Sequence, residues 1–293
     1  MSKEAGIPIR FDEDAAKSIV KTRMIEHEVF YVPQKGDQNE VELLEAGLKA
    51  GISFRLIGPT GAGKSHLLQY LCWKHRKPYF LVVGDPKTDR DQLVGTPVAE
   101  GDGTVFLPGE VTIAAKVEGI IALEEVLEMQ PDALTSLHGV GDIRRVLPLP
   151  YVNQLLQISP GFMMALSYNE GAAYHRSGRG QLKPSIMQRF PAIYFKHHRG
   201  NKGVEILTKN YGIDTDLARS LDQFAVMIDG FTRGDQQVRL DETVGYHALG
   251  NAARLIRQGI APLVAVHCAI SCALSSNQQT IDALDAQAKN IFK

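Results

Sequence analysis

The sequence predicts an α/β protein with a parallel β-sheet flanked by helices, followed by a small all-helical C-terminal domain. Three observations lead to this prediction. Short apolar runs with the length of buried strands alternate with helical segments from about residue 30 to residue 200. A glycine-rich loop lies between one such strand and the next helix, at residues 58–65. From about residue 201 the helical spacing of apolar residues continues while strand patterns stop, which indicates a separate helical domain.

Composition excludes several classes of function. The chain has 293 residues, enough for one large domain or two smaller ones, and its net charge is −1 at pH 7. This near-neutral charge gives no reason to expect a nucleic acid or a membrane surface as partner. Three cysteines argue against a disulfide framework. Because no apolar run has the length of a membrane span or the form of a signal peptide, a soluble cytoplasmic protein is expected.

The segment before the glycine-rich loop predicts two helices and one strand. Residues 1–30 are treated as an N-terminal extension with a short helix near residues 12–21. Residues 28–32, Glu-Val-Phe-Tyr-Val, indicate a strand that ends at Pro33. Asn39 is a suitable N-cap for a helix at residues 40–50, which Gly51 ends. By analogy with chains in which such a strand and helix precede a glycine-rich loop, these two elements are expected to contribute to a base pocket.

The glycine-rich loop matches the phosphate-binding P-loop, G-x-x-x-x-G-K-[ST]. An apolar strand precedes it at residues 53–57 and a helix follows, which is the order that phosphate binding needs. Lys64 is expected to reach the β- and γ-phosphates of ATP, and the Ser65 hydroxyl to ligate Mg²⁺. The predicted nucleotide-binding residues are Gly58, Pro59, Thr60, Gly61, Ala62, Gly63, Lys64, Ser65 and His66.

The next segment predicts a strand at residues 78–84, a polar turn or short helix at 89–95, a hairpin at 97–107 and a helix at 109–116. An apolar run from Gly119 then ends in two carboxylates, Glu124 and Glu125. In P-loop proteins such a strand is expected beside the P-loop strand, with its first acid near Mg²⁺ and its second polarising the attacking water. The alternative is an ordinary strand end, and the P-loop favours the catalytic interpretation.

Residues 131–195 predict the remaining elements of the sheet. A helix begins at Pro131, a second hairpin covers residues 144–158, and a buried strand from Gly161 leads to Asn169. An amide at the C-terminal end of a parallel strand is expected to point into the ligand crevice. The alternative is that Asn169 is an ordinary turn residue. A short helix at residues 184–190 carries Arg189, and the last strand follows at 192–195.

Several other residues have two interpretations each. Arg144 and Arg145 contact nucleotide or a neighbouring subunit, or they begin a solvated hairpin. The basic residues 171–183 predict a mobile surface loop in preference to a binding site for an acidic partner or nucleic acid. For Cys268, Cys272 and His267, core packing is favoured over a metal site because no acid lies nearby in sequence. The pair at 197–198, His-His, is interpreted as a linker near the boundary between residues 31–200 and 201–293.

The order of these motifs resembles that of AAA+ ATPases. A P-loop, an acidic strand end, an asparagine strand end, an arginine helix and a helical lid follow one another. In detail the sequence looks like the MoxR group, and within it most like the NirQ/NorQ/CbbQ subgroup. The similarity runs from about residue 31 to about residue 270. Its motifs lie at residues 91–95, 144–148, 160–162, 167–169, 182–185 and 188–190.

The resemblance implies a set of roles and partners. Asn169 would orient the lytic water, and Arg189 would act as an arginine finger at the site of a neighbouring subunit. Such a trans finger implies a homo-oligomeric ring, usually a hexamer, with the hairpin at residues 98–105 facing its pore or a partner. The usual partner carries a von Willebrand factor A domain. Together they remodel or activate a client metalloenzyme, such as nitric oxide reductase, nitrite reductase or Rubisco.

The sequence departs from the subgroup pattern in three places. Glu124 replaces an aspartate, the loop at residues 171–181 is longer and more basic, and the lid helix lacks its arginine. Arg254 lies further along that helix, and His247 is nearer to the expected position. Glu124 and the missing lid arginine keep open the alternative of a nucleotide-gated scaffold with weak hydrolysis. The resemblance to the MoxR group leaves a further alternative, the ATPase subunit of a metal chelatase. A nucleic-acid motor is disfavoured because the chain lacks a basic aromatic platform.

Overall fold

The structure of the protein is a computed structural model, and it describes residues 7–34, 38–169, 182–233, 240 and 242–292. The predicted basic loop at residues 171–181 lies outside these ranges. Nine strands form one five-stranded sheet and two hairpins within the described residues. The strands are β1 Phe54–Ile57, β2 Tyr79–Val83, β3 Gly95–Glu100, β4 Gly103–Pro108, β5 Ile120–Glu124, β6 Val146–Leu149, β7 Gln154–Gln157, β8 Met163–Tyr168 and β9 Ala192–Tyr194.

Helices flank the sheet and make up the C-terminal region. Those around the sheet are α1 Glu13–Arg23, α2 Glu40–Ala50, α3 Lys64–His75, α4 Arg90–Val94, α5 Glu110–Lys116, α6 Pro131–Ser136 and α7 Pro184–Arg189. Those of the C-terminal region are α8 Asn201–Tyr211, α9 Thr215–Arg233, α10 Tyr246–Arg257, α11 Pro262–Val266, a π-helical turn His267–Ser271, α12 Cys272–Leu274 and α13 Gln278–Ile291.

The five-stranded sheet is parallel throughout, in the order β2-β5-β8-β1-β9. The predicted parallel α/β core is therefore confirmed. The expectation that the strand of Glu124 and Glu125 lies beside the P-loop strand is wrong, because β8 is hydrogen-bonded between β1 and β5. All six residues of β8 are buried, as its central position requires. Edge strand β2, by contrast, leaves Leu81 and Val83 exposed.

Two hydrophobic clusters cover the two faces of the sheet. In β5, Ile121 and Leu123 belong to one cluster, while Ile120 and Ala122 belong to the other. Because successive side chains of a strand point to opposite faces, a strand buried on both faces is apolar at every position. This arrangement explains why β5 is a continuous apolar run up to Leu123 rather than an alternating one.

The predicted strand at residues 28–32 is wrong. No hydrogen-bonded strand partner is found for this segment in the part of the chain that the structure describes, and it runs as irregular backbone. Glu40 holds it instead: the Tyr31 hydroxyl donates to its carboxylate at 2.6 Å and the Gln34 N–H at 2.9 Å. Burial, reinforced by the adjacent Glu40 carboxylate, raises the pKa of Tyr31. The valines and aromatic residues therefore indicate burial here, not strand pairing.

Helix boundaries follow the capping signals. The Asn39 side chain accepts hydrogen bonds from the N–H groups of Val41 and Glu42 at the start of α2, as predicted. At the end of α2, Gly51 has a left-handed backbone with φ of 70°, which a side chain would strain. The predicted ends of this helix are thus confirmed.

The C-terminal region is helical, as predicted, and contains no strand among its described residues. Its own hydrophobic cluster includes Leu221, Phe224 and Ile228 from α9, which share one helix face. Leu263 and Val264, predicted on the same grounds, are exposed instead. The division of the chain at residues 30 and 200 stays a prediction. No described helix is long and apolar enough to cross a bilayer.

Candidate nucleotide site

The glycine-rich loop connects β1 to α3, in the order predicted. Its backbone is left-handed at Gly61 and Gly63, with φ of 73° and 91°. A Cβ atom at Gly61 would also come within 2.9 Å of the Tyr246 nitrogen at the start of α10. Glycine is therefore required here both for the turn and for the close approach of the helical region.

Lys64 lies at the centre of the loop. Its ammonium group donates to the carbonyls of Gly58 and Pro59 at 2.7 and 3.0 Å, and to Asn169 Oδ1 at 2.9 Å. Burial lowers its pKa to about 8, although the carboxylates of Glu125 and Glu124 act in the opposite direction. A buried cation ringed by neutral oxygens is suited to an anionic ligand, because a phosphate offers a charged acceptor where the loop offers none.

Two oxygen ligands for a hard cation meet beside the loop. The Ser65 hydroxyl donates to Glu124 Oε1, so the longer side chain of glutamate reaches the position where a metal-side acid is expected. No cluster of three or more histidine, cysteine or acidic residues that could hold a metal is found in the described residues. A hydroxyl and one carboxylate are sufficient protein ligands for Mg²⁺, because this ion usually completes its coordination with water molecules and substrate phosphates.

Asn169 joins the P-loop to the acidic strand end. Its amide nitrogen donates to Thr60 Oγ1 at 3.0 Å and lies 3.4 Å from Glu125 Oε1, while its oxygen accepts from Lys64. Glu125 has a left-handed backbone with φ of 49°, a strained conformation found disproportionately at functional sites. The structure thus brings Lys64, Glu125 and Asn169 into one network, and the turn-residue interpretation of Asn169 is insufficient.

Arg189 is the predicted site residue that the structure keeps apart from this network. Its guanidinium donates to the Ser185 carbonyl at 2.8 Å and lies 3.9 Å from Asp142 Oδ2. None of the contacts described for its side chain reaches residues 58–65. Arg144 and Arg145, which lie close to Asp142 in sequence, differ in their surroundings, and a contact of either with a neighbouring subunit stays a prediction. Arg144 is exposed and paired with Asp142, whereas Arg145 donates to the Ser159 and Phe162 carbonyls and secures the second hairpin.

A cavity of about 360 Å³ opens next to the loop, between the sheet and the C-terminal helices. This volume lies in the range of small-molecule sites. His66, predicted as a nucleotide contact, lines it and lies 2.7 Å from the Phe30 carbonyl through its Nε2. The irregular segment at residues 28–32 forms one wall, as the base-pocket analogy predicts. The C-terminal wall consists of Ile206, Asn210, Tyr211, Tyr246 and His247.

The linker interpretation of His197 is wrong, because its imidazole ring contacts both the P-loop and the C-terminal region. Its Nε2 lies 3.0 Å from the Thr60 carbonyl and its Nδ1 lies 3.0 Å from the Thr243 hydroxyl. Because a carbonyl oxygen only accepts, Nε2 carries the hydrogen and Nδ1 accepts from the hydroxyl. Burial, with the neighbouring Arg199 charge, lowers the pKa of His197 to about 4. Its partners are 137 and 46 residues away, so no local sequence signal reveals them.

The lid, residues 201–292, is hydrogen-bonded to the loop and to the segment that contains His198 and Arg199. The Tyr246 N–H donates to the Gly61 carbonyl at 3.2 Å, and the Tyr246 hydroxyl donates to the His198 carbonyl at 2.8 Å. Arg199 donates to both oxygens of Asp229 at 2.9 and 3.0 Å. Arg254 packs over the Tyr211 ring at 5.7 Å and is not among the cavity residues. Arg254 therefore does not supply the missing lid arginine among the described lining residues of this cavity.

We expect the stability of the protein to fall in acid through His197. The folded pKa of about 4 lies below the ordinary value of 6.5, so between these values only the unfolded state binds the proton. The full shift corresponds to about 3 kcal/mol, and partial solvent exposure reduces the expected loss to about 2 kcal/mol. The loss begins near pH 6.5 as the pH falls and is complete below about 4.

Urea unfolding between about pH 7 and pH 4 measures this effect. His197→Gln is the matched variant, because its amide can still donate to the Thr60 carbonyl but does not titrate. Its unfolding free energy should decline less with falling pH than that of the unmodified protein. Parallel pH profiles for the two proteins would contradict the assignment of a buried neutral histidine.

The fold and the site together define a class of protein. They are those of an AAA+ P-loop protein. The parallel sheet has β8 between the P-loop strand and the acidic strand, a phosphate loop leads into α3, and a helical lid lies over the cavity. The family model described as AAA domain (dynein-related subfamily) matches residues 53–190. A second model, described as CbbQ/NirQ/NorQ C-terminal, matches residues 204–291.

Whole-chain relatives identify the family within this class. The chain is 33% identical to Protein CbbQ of Hydrogenophilus thermoluteolus over 87% of its own length and 92% of the relative. It is 33% identical to Denitrification regulatory protein NirQ of Pseudomonas aeruginosa, over 84% and 92% of the two chains. It is also 33% identical to Protein NorQ of Paracoccus denitrificans, over 79% of its own length and 82% of the relative. The chain belongs to the CbbQ/NirQ/NorQ family, as the motifs in the sequence predict.

Proposed function

We propose that the protein is a Mg²⁺-dependent ATPase that activates or remodels a partner metalloenzyme. The observation that carries the proposal is the network of Lys64, Asn169 and Glu125 at the edge of the sheet. The network brings the ammonium group of Lys64, at the start of α3, together with the amide and the carboxylate that directly follow β8 and β5. These are the groups that phosphoryl transfer to water requires.

Each side chain has a defined part in the proposed reaction. Lys64 and the loop N–H groups bind the phosphates, and Ser65 with Glu124 holds Mg²⁺. The bound ion would neutralise charge on the phosphates. Glu125 accepts the proton of the attacking water, and Asn169 orients that water. Because Lys64 and Glu125 both contact the Asn169 amide, movement of this amide would change the hydrogen bonds of both side chains together.

Arg189 completes the site from a neighbouring subunit in this proposal. Within one chain it is directed to Ser185 and Asp142, so another copy must present it to the γ-phosphate. A homo-oligomeric ring, for which a hexamer is the expected size, provides such a neighbour. An arginine that meets charge developing in the transition state is worth about 10³–10⁵ in rate.

Membership of the family supports the proposed client enzymes. Two relatives are named as denitrification regulatory proteins, which suits a client such as nitric oxide reductase or nitrite reductase, and the CbbQ relative suits Rubisco. A von Willebrand factor A domain protein is the proposed co-partner, with the hairpin of β3 and β4 facing it or the pore. We retain the cytoplasm as the proposed location and residues 31–200 and 201–293 as the proposed domains.

Co-purification in the presence of ATP tests the proposed role. Tagged Glu125→Gln protein, which is expected to hold ATP, should retain the von Willebrand factor A protein and the metalloenzyme. Lys64→Met protein, which is expected not to bind ATP, is the control and should lose both. ATP turnover by the unmodified protein should stop with a chelator and return with Mg²⁺. Capture of a tetrapyrrole-linked partner would indicate the metal chelatase alternative instead.

A nucleotide-gated scaffold with weak hydrolysis is the second candidate. It is favoured by the cavity, which has no arginine among its described lining residues and presents His247 where the family's lid arginine is expected. The scaffold and the activase differ in turnover. Hydrolysis of many ATP molecules per minute would exclude the scaffold, whereas tight ATP binding without turnover in the presence of partner would support it.

A further inference from the structure

The structure contradicts the core-packing interpretation of the cysteines in the lid. Cys268 and Cys272 are both exposed, whereas Cys72, in α3, is buried. An acid is also present, although it is distant in sequence: Asp285 of α13 lies 2.6 Å from His267 Nδ1 through its Oδ2. These residues play no part in the nucleotide site.

Cys272, His267 and Asp285 form a hydrogen-bonded chain. The carboxylate of Asp285 accepts from Nδ1 of His267, which leaves the lone pair on Nε2 in the neutral imidazole. The Cys272 sulfur lies 3.5 Å from this Nε2, so the thiol can donate its proton to it. Transfer of that proton leaves a thiolate beside an imidazolium that the carboxylate stabilises. This is the arrangement of an activated nucleophile.

The π-helical turn is responsible for the contact. In an α-helix, residues five apart are separated by about 140° around the axis, so they do not face each other. The π-helical turn His267–Ser271 has more residues per turn and brings His267 and Cys272 to the same side. Cys268, one residue after the histidine, has no such contact among the described residues. The chain therefore has two exposed cysteines within five residues, one that contacts a histidine and one that does not.

We propose that Cys272 is a reactive thiol that undergoes exchange with low-molecular-weight disulfides. The Cys272 thiolate attacks one sulfur of the disulfide, a new S–S bond forms, and the original S–S bond breaks. The leaving thiolate takes up the proton held by His267. The products are a mixed disulfide on Cys272 and one small thiol, and no other oxidant is needed. A metal role is not part of the proposal, since the described residues hold no metal-binding cluster.

The first test compares the two exposed cysteines. Cys268→Ser protein retains Cys272, and Cys272→Ser protein retains Cys268, while Cys72 stays buried in both. Each is treated with glutathione disulfide near pH 7, and the rate is followed by intact mass. We expect Cys272 to react roughly tenfold faster, because an ordinary thiol is only a few per cent thiolate at that pH. Equal rates, or a faster Cys268, would overturn the proposal.

The second test removes the base within the Cys268→Ser background. His267→Asn keeps a side-chain donor that can face Asp285 but has no basic nitrogen for the thiol. The rate of Cys272 should fall to that of Cys268. Retained ATP binding shows that the variant is folded. A folded variant with an unchanged rate would contradict the role of His267.

Discussion

Glu125→Gln is expected to reduce ATP turnover by about 10²–10⁴-fold while ATP binding is retained. A glutamine cannot accept the proton of the attacking water, but its oxygen can still accept the hydrogen bond from Asn169 that Glu125 receives at 3.4 Å. The substitution therefore changes the chemistry of the strand end and not its packing. Phosphate release measures turnover, and binding of a fluorescent ATP analogue measures affinity.

The control for this variant is a glutamate at the opposite end of the same strand. Glu118 precedes β5 and lies 4.0 Å from Lys77, far along the strand from the loop. Glu118→Gln should turn over ATP at close to the normal rate. If Glu125→Gln retained its turnover, Glu125 would not be the group that activates water. If it lost ATP binding together with turnover, its role would be structural.

Arg189→Ala is expected to reduce turnover by about 10³–10⁵-fold in assembled protein. The arginine supplies positive charge where negative charge develops on the transferred phosphoryl group, and a methyl group supplies none. ATP binding and oligomeric state should be unchanged, because the loop of the same chain is not altered. Turnover and sedimentation measured on the same samples check both points. Arg144→Ala, which removes an exposed arginine beside the same Asp142, is the control.

A mixing experiment determines whether Arg189 acts on its own subunit or on the next. Arg189→Ala chains have an intact loop, and Lys64→Met chains have an intact arginine. Each protein alone should be inactive. If the arginine acts in trans, mixed assemblies should recover turnover, because a normal loop then meets a normal arginine. Mixed assemblies that stay inactive would contradict the trans assignment.

Sequence reasoning predicted the parts of the fold that local patterns determine. The P-loop is specified by its glycines, and α2 by its Asn39 and Gly51 caps. The apolar runs indicated strands because burial on both faces favours apolar residues at successive positions. Strand order was not accessible in the same way. Nothing within β8 itself says that it separates β1 from β5, because pairing is a long-range property of the sheet.

The missed features all depend on contacts between distant residues or on an unusual backbone. His197 obtains its role from Thr60 and Thr243, which lie far from it in sequence. Cys272 and His267 meet only because a π-helical turn replaces an α-helical one, and Asp285 arrives from another helix. A pattern with α-helical spacing assigns these side chains to the wrong faces. The same pattern predicted core positions for Leu263 and Val264, which are exposed.

The hydrogen bond between His197 and the Thr60 carbonyl also fixes the orientation of a peptide plane in the loop. A trans peptide carries its C=O and N–H in opposite directions, so the N–H of Gly61 must point away from the histidine. Thr243 of the lid donates to the other ring nitrogen of His197, so rotation of the lid that displaced this histidine would free the plane to turn. The dipole of the peptide would turn with it. Opening of the lid would then change the electrostatic field of the loop without moving a charged side chain.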